Sequence, residues 1–341
     1  MIDINNKDAL HKYVVQKGLI SGEDDFDHEE LSGGVSCKVI KITTQTQRFV
    51  LKQALPKLKV KDEWFSDIKR IFIERDCLIA FNEMIPQYVP GFIDHDDNNY
   101  LFIMEAAPEK AESWKHQLLN GQLDVKIANK IATALAHIHS KGARSDQLKE
   151  TFKSRQFFKE LRISPYLETI QGKHPSIQSE IDHVIKMLLD NRITLVHGDY
   201  SPKNILVAEE DVYILDYEVA HIGHPSFDIA FLTNHLLLKA IKNKHLVHEY
   251  MNLMLYFIET YFSTIDFMDR VQLEKDTIRV LALLFLARVD GKSPADYITE
   301  EEDKEMIREI SFQMLKSANS YKDVSTLLLQ LTQLNEKEKG V

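Results

Sequence analysis

The stretch Leu195-Val196-His197-Gly198-Asp199-Tyr200-Ser201-Pro202-Lys203-Asn204-Ile205-Leu206-Val207, with Asp216-Tyr217-Glu218 beyond it, decides how the rest of the chain reads. Asn204–Val207 and Val212–Leu215 are short strand-like runs. Asp199 therefore lies on the loop before the first run, and Asp216 lies at the end of the second. Phosphoryl transfer needs a carboxylate that orients and deprotonates an attacking hydroxyl, and hard oxygen ligands for the metal on a triphosphate. Asp199 and Asn204, five residues apart on one loop, can supply a base and a metal ligand. Asp216 can supply a second ligand, and Glu218 is placed to join the same cluster. The plain alternative is a surface turn in which Asp199 caps and Asn204 starts a strand. The spacing, the strand context and the second acidic motif together argue against it.

The pattern HGDxxxxN followed by an apolar run and Asp-x-Glu resembles the catalytic core of the aminoglycoside phosphotransferase and choline kinase superfamily, small-molecule kinases with a protein-kinase-like fold. The resemblance implies that Asp199 is the catalytic base and that Asn204 and Asp216 ligate magnesium, with help from Glu218. It spans roughly residues 30–290. It implies an α+β fold of two lobes, a small antiparallel sheet followed by a mainly helical lobe, with ATP and Mg2+ as cofactors.

The same resemblance extends into the N-terminal part. Leu31-Ser32-Gly33-Gly34-Val35-Ser36 resembles the nucleotide-covering loop, where Gly33, Gly34 and Ser36 would let backbone N–H groups approach phosphates. Lys52 ends the run Phe49-Val50-Leu51, where the family places its phosphate-binding lysine. Glu74, on the following helix, is the expected partner, ahead of Glu63 and Asp76. Glu105, Ala106 and Ala107 follow the last strand and resemble the adenine-binding hinge, with Met104 as apolar packing. Lys52–Pro56, Trp64, Arg70, Val89-Pro90 and Met104-Glu105 resemble 5-methylthioribose kinases. The catalytic loop departs from that group: HGDYSPKN keeps Asn204 where those enzymes usually read HGDLHTGS, and Asp-Tyr-Glu replaces their Asp-Pro-Glu.

Composition sets the outer bounds. The 341 residues suffice for one large domain or two lobes. Hydrophobic residues at 44% and charged residues at 28% suit a soluble globular chain and exclude wholesale disorder. A formal charge of −10 speaks against non-specific nucleic-acid binding and tolerates a cationic substrate. Cys37 and Cys77 form no zinc or disulfide framework, which suits a reducing compartment. Neither a signal peptide nor a membrane span is read: the longest apolar run, Val280–Ala287, is far short of the roughly 20 residues a span needs. A cytoplasmic protein, monomer or homodimer, is expected.

Outward from the motif, helices are expected at Asp8–Leu19, Asp67–Met84, Val125–His139 (stopped by Ser140-Lys141-Gly142), Ile177–Asp190, Ser226–Lys239, Glu249–Phe262 and Lys275–Val289. Strands are expected at Val35–Ile42, Arg48–Lys52, Val89–Ile93 and Tyr100–Met104. The lobes are divided into 1–107 and 108–341, and the charged tail Asn335–Gly340 is expected to fray. Asp228 reads as a cap or structural hydrogen-bonding group ahead of a substrate contact. His221, His224 and His235 read as solvated or hydrogen-bonded rather than metal-bound. Arg288 either faces the substrate or closes its helix, with Gly291 as the stop. Trp64 either covers the cleft or packs. The expected activity is transfer of the γ-phosphate of ATP to a hydroxyl of a sugar, amino-alcohol or aminoglycoside-like molecule. A catalytically silent nucleotide-binding protein and a protein kinase are the alternatives. Ser201, two residues after Asp199 where protein kinases carry lysine, speaks against the latter.

Overall fold

A computed structural model describes residues 1–31, 37–55 and 67–338. The chain falls into two units, Met1–Glu109 and Lys110–Val341.

The first unit is a five-stranded antiparallel sheet with two helices. Strands β1 (Asp27–Glu30), β2 (Cys37–Thr43), β3 (Arg48–Ala54), β4 (Phe92–Asp96) and β5 (Leu101–Glu105) lie in the order β1-β2-β3-β5-β4. Helix α1 (Lys7–Gln16) starts where the Asn6 side chain accepts from the Ala9 N–H at 3.0 Å, and ends before Gly18, which adopts φ +69°. It buries Leu10, Tyr13 and Val14 against Ile40, Ile42, Phe49, Leu51, Leu101 and Ile103. The alternation of a strand then sends Val50 and Lys52 to the opposite face, where helix α2 (Arg70–Met84) presents Glu74, Cys77 and Leu78. The one charged side chain buried in the interior of β3 thus faces α2. Cys37 and Cys77 are buried thiols.

Two expectations shift here. Strand β1 reads Asp-His-Glu-Glu and carries no apolar signal, because it is a mostly exposed edge strand whose charges suit that position. Strand β4 begins at Phe92 rather than Val89, because Pro90 has no N–H to give a ladder.

The second unit is mainly helical. A three-stranded sheet joins β6 (Glu112–Ser113), β8 (Ile205–Ala208) and β9 (Asp211–Ile214) in the order β6-β8-β9, and a two-stranded one pairs β7 (Thr194–Val196) with β10 (His221–Gly223). Helix α3 (Trp114–Leu119) follows β6. Helix α4 (Val125–Arg144) is capped by Asp124, whose carboxylate accepts from the Lys126 N–H at 2.7 Å. It does not stop at Ser140-Lys141-Gly142. It runs on to Arg144 because β7 crosses it there: a Cβ at Gly142 would lie 2.5 Å from the Leu195 amide nitrogen and 2.7 Å from Thr194 Oγ1. The glycine permits close packing instead of ending the helix. A π-helical segment at Lys159–Glu168 contains Pro165. Helices Gln178–Asp190, Ser226–Lys242, Val247–Thr264, Arg270–Asp290, Glu301–Ser317 and Tyr321–Glu338 complete the unit, the last running into the tail expected to fray. Among the described residues no helix is long and apolar enough to cross a membrane.

Gly142→Ala is expected to destabilise the protein by about 1–3 kcal/mol, the usual cost of forcing extra volume into a packed contact. Urea unfolding of wild type and variant measures it.

Candidate functional site

The loop between β7 and β8 is held from below by one buried carboxylate. Asp228, in the first turn of the helix Ser226–Lys242, is fully buried. Its Oδ2 accepts from the His197 N–H at 2.7 Å and its Oδ1 from the Gly198 N–H at 2.8 Å. Its Oδ2 also meets His139 Nε2 at 3.2 Å, and His139 Nδ1 meets the Tyr261 hydroxyl at 2.7 Å. Burial alone would push the Asp228 carboxyl up; the His139 hydrogen bond and charge, with His197 and the Gly198 amide, hold it below the ordinary value. The partners of Asp228 are groups of the fold itself, which fits the structural reading set ahead of a substrate contact. Gly198 turns the loop at φ +79°, and a Cβ there would lie 2.8 Å from the Val219 carbonyl oxygen.

That turn presents Asp199. Its Oδ2 accepts from Asn204 Nδ2 at 2.7 Å and pairs with Arg162 Nη2 at 2.8 Å. Its other oxygen, Oδ1, has no hydrogen-bond partner among the described residues. Arg162, on the π-helical segment, also donates from Nε to the Gly198 carbonyl at 2.9 Å. The charges of Asp199, Tyr166, Glu218 and Asp216 act on this guanidinium and raise its pKa against the effect of burial. The expected acidic residues of this half thus all act on one cation, and Asp199 pairs with it directly. Sequence reading missed Arg162, since a lone arginine in a mixed stretch carries no pattern; only the π-helical turn aims it at the loop.

Asn204 is fixed twice over, its amide N–H accepted by Ser201 O at 2.9 Å and its carbonyl accepting from Leu215 N–H at 2.8 Å. That second bond places Asp216 one residue beyond Asn204's strand partner. Asp216 adopts φ +72°, a left-handed conformation costly for a non-glycine residue. With its Nδ2 spent on Asp199, Asn204 keeps its amide oxygen for another partner. Among the described residues no three His, Cys, Asp or Glu side chains converge as a metal cage. Asp216 and Asn204 instead offer a sparse set of hard oxygens. That set fits Mg2+, which keeps several waters and is held by one or two carboxylates plus substrate phosphates.

In the first unit, Lys52 Nζ meets Glu74 Oε1 at 2.5 Å, with both side chains buried. Of the weaker contenders, Asp76 is taken by Arg75 at 2.8 Å and Glu63 lies outside the described residues. The Glu105 N–H donates to Gly91 O at 2.8 Å and the Ala106 N–H to Arg48 O at 3.3 Å. Backbone donors at those two positions are thus engaged, and Ala107 is next in line. Gly33, Gly34, Ser36 and Trp64 lie outside the described residues.

The three histidines are held singly. His221 Nδ1 meets Val219 O at 3.0 Å and its ring stacks on Phe158, while His224 Nδ1 meets Ser226 Oγ at 2.8 Å. Burial pushes both down to about 4. His235 packs edge-on to Phe231.

Comparison with known proteins gives the arrangement its context. The APH sequence model, described as a phosphotransferase enzyme family, matches residues 27–242. A methylthioribose kinase of Bacillus cereus is 25% identical over 281 residues, covering 73% of this chain and 71% of its own. Among solved structures, a Plasmodium vivax ethanolamine kinase superposes with a TM-score of 0.54 at 16% identity, covering 96% of this chain and 89% of its own. An amicoumacin kinase in complex with AMP-PNP, Ca2+ and its substrate superposes with a TM-score of 0.55 at 14% identity, covering 91% and 94%. These likenesses show the fold, with its small antiparallel sheet and mostly helical second part.

Asp228→Asn should cost roughly 1–3 kcal/mol, since it removes the charge from three hydrogen bonds and leaves a buried N–H facing a donor. The wild-type carboxyl sits below its ordinary value, so its stabilisation is complete above about pH 4–5 and is lost as the pH falls through the folded-state value. The variant should therefore lose less stability between neutral and acid pH than wild type, which urea midpoints measured across that range will show.

Proposed function

We propose, for a chain that belongs to the phosphotransferase enzyme family and is a small-molecule kinase, that Asp199 is the catalytic base for transfer of the γ-phosphate of ATP to an acceptor hydroxyl. The observation that carries the reading is the division of labour on the Asp199 carboxylate. Oδ2 is held by Arg162 and Asn204. Oδ1 is left to accept a hydrogen bond from the acceptor and then its proton. Holding one oxygen fixes the rotamer, and a fixed rotamer aims the other. Arg162 keeps the carboxylate oriented; it is a positioning residue.

Asp216 and the Asn204 amide oxygen, with help from Glu218, would hold Mg2+. When bound, the ion neutralises charge on the phosphates and on the group being transferred. Lys52, oriented by Glu74, fixes the phosphates in its own unit, and Gly33, Gly34 and Ser36 would cover them. The backbone of Glu105 and Ala107 is assigned to the adenine ring. The named relatives act, by their names, on methylthioribose, ethanolamine and amicoumacin, and the amicoumacin kinase complex holds a nucleotide and a divalent cation. The acceptor is accordingly read as a hydroxyl of a sugar, amino-alcohol or aminoglycoside-like small molecule.

The test is magnesium-dependent ADP release against a panel of pentoses, methylthioribose, choline, ethanolamine, homoserine and aminoglycosides. Asp199→Ala should lower kcat by about 10²–10⁴-fold while ATP still binds. Lys52→Met should raise KM for ATP, and Asp216→Ala should weaken binding of Mg-ATP. Near-full turnover by Asp199→Ala would remove the assignment of the base.

A further inference from the structure

A second group of charges in the helical unit takes no part in the reading above. Lys239, on the helix Ser226–Lys242, is 1% exposed. Its one hydrogen bond goes to His235 O at 3.2 Å. No carboxylate of the described residues pairs with it. Arg288, near the end of the helix Arg270–Asp290, is likewise without an acidic partner. Its Nη1 donates to Tyr166 Oη at 3.2 Å and to Ser293 Oγ at 3.1 Å, while its Nε is buried with no partner. The Tyr297 ring meets Lys239 and a further cation, Lys115. Lys239 Nζ lies 5.3 Å and Lys115 Nζ 5.6 Å from its ring centroid, and its hydroxyl is buried with no partner. The nearest acid, Asp296, pairs with Lys115 at 3.6 Å.

A buried ammonium without a counter-ion is expensive unless something outside the chain supplies the charge. The tyrosine face offsets only part of that cost. Burial, followed by the charges of Lys115 and Arg288, brings the Lys239 pKa down to about 7 in the free protein. Three side chains of this group keep donors without a partner among the described residues: Lys239 beyond its bond to His235 O, Arg288 at Nε, and Tyr297 at its hydroxyl. Lys115 is 34% exposed and Asp296 78% exposed, so the group opens to solvent on that side.

The group also adjoins Asp199. Arg162, which holds Asp199, lies 5.8 Å from the Phe231 ring. Phe231 packs edge-on to His235 at 5.3 Å and to Tyr166 at 5.9 Å. Arg288 lies 5.9 Å from the Tyr166 ring. Arg162, Phe231 and Tyr166 therefore link the proposed base to Arg288.

We propose that the acceptor carries an oxyanion, a carboxylate or a phosphate, which seats on Lys239, Arg288 and the Tyr297 hydroxyl while its own hydroxyl lies at Asp199. This deepens the functional reading and rests on it for the place of the reacting hydroxyl. It also reverses what net charge suggests: the chain is acidic overall, yet the buried charge beside the base is positive.

The experiment compares acceptors that differ only in the anion: 4-hydroxybutyrate against 4-hydroxybutyramide for the carboxylate, and a pentose 5-phosphate against the free pentose for the phosphate. Choline serves as the cationic control. Wild type should favour one anionic acceptor over its uncharged analogue. Lys239→Met and Arg288→Met should each raise KM for that acceptor by about tenfold or more, the worth of one hydrogen bond to a charged group, without raising KM for the analogue. The direct arm reads the rise in melting temperature given by inorganic phosphate or acetate over chloride at equal ionic strength. It should be present in wild type, reduced in Lys239→Met and largely kept in Arg288→Lys. Without added anion, Lys239→Met should melt at or above wild type, since it removes an uncompensated buried charge; a variant that melts far below wild type marks Lys239 as structural and overturns the proposal. Turnover of uncharged or cationic acceptors that needs Asp199 but not Lys239 overturns the oxyanion site and leaves the kinase reading intact. Oxyanion stabilisation that needs Lys239, without turnover of any acceptor, supports the site and counts against the assigned base. No Lys239-dependent effect in either arm overturns the proposal.

Discussion

The hydrogen bonds from the His197 and Gly198 amides to the buried Asp228 carboxylate are the contact on which the proposed site depends. Two backbone donors of a loop that joins two short strands would otherwise be left in a dry interior. One carboxylate satisfies both and ties the loop to the start of a long buried helix. The His139 ring supplies the third bond and links the same carboxylate to α4 and to the helix Val247–Thr264 through Tyr261. Three elements thus meet at one side chain, and a fourth is joined to it through His139. Gly198 can then turn at positive φ, and Asp199 emerges in a single orientation, held on one oxygen by Arg162 and Asn204.

The first unit solves a similar problem with a different device. A lysine in the interior of a central strand must be buried, and β3 places Lys52 on the face away from α1 because Phe49 and Leu51 take the other. Helix α2 answers with Glu74. A buried pair of this kind adds little net stability, but it gives a long flexible side chain one geometry. Lys239 is the contrast: a buried lysine with no acid to answer it among the described residues.

Much of this was legible in the residues. The stretch from His197 to Asn204 and the Asp216–Glu218 motif announce a loop between strands with acids at defined offsets. The Phe49–Lys52 run and the family pattern that the Glu74 segment resembles point to the Lys52–Glu74 pair. What was not legible has physical causes. Strand β1 is polar because an exposed edge strand buries almost nothing. Gly142 reads as a stop, since a glycine that ends a helix and a glycine that admits a neighbouring strand are the same letter. Arg162, Arg288 and Lys239 are single charges in segments without a motif, and their meaning lies in which carboxylates stand near them.

The sequence by itself determined the fold class, most of the elements around the proposed site and the residue types on the loop between β7 and β8, because local spacing and alternation act within a few residues of each other. Only the tertiary structure decided the rest: that Asp228 clamps the loop, that Arg162 takes one oxygen of Asp199, and that Lys239 and Arg288 have no acidic partner among the described residues. Those facts depend on burial and on pairings across 30 residues or more. The electrostatic character of a charge is set by its surroundings, and the surroundings exist only once the chain has folded.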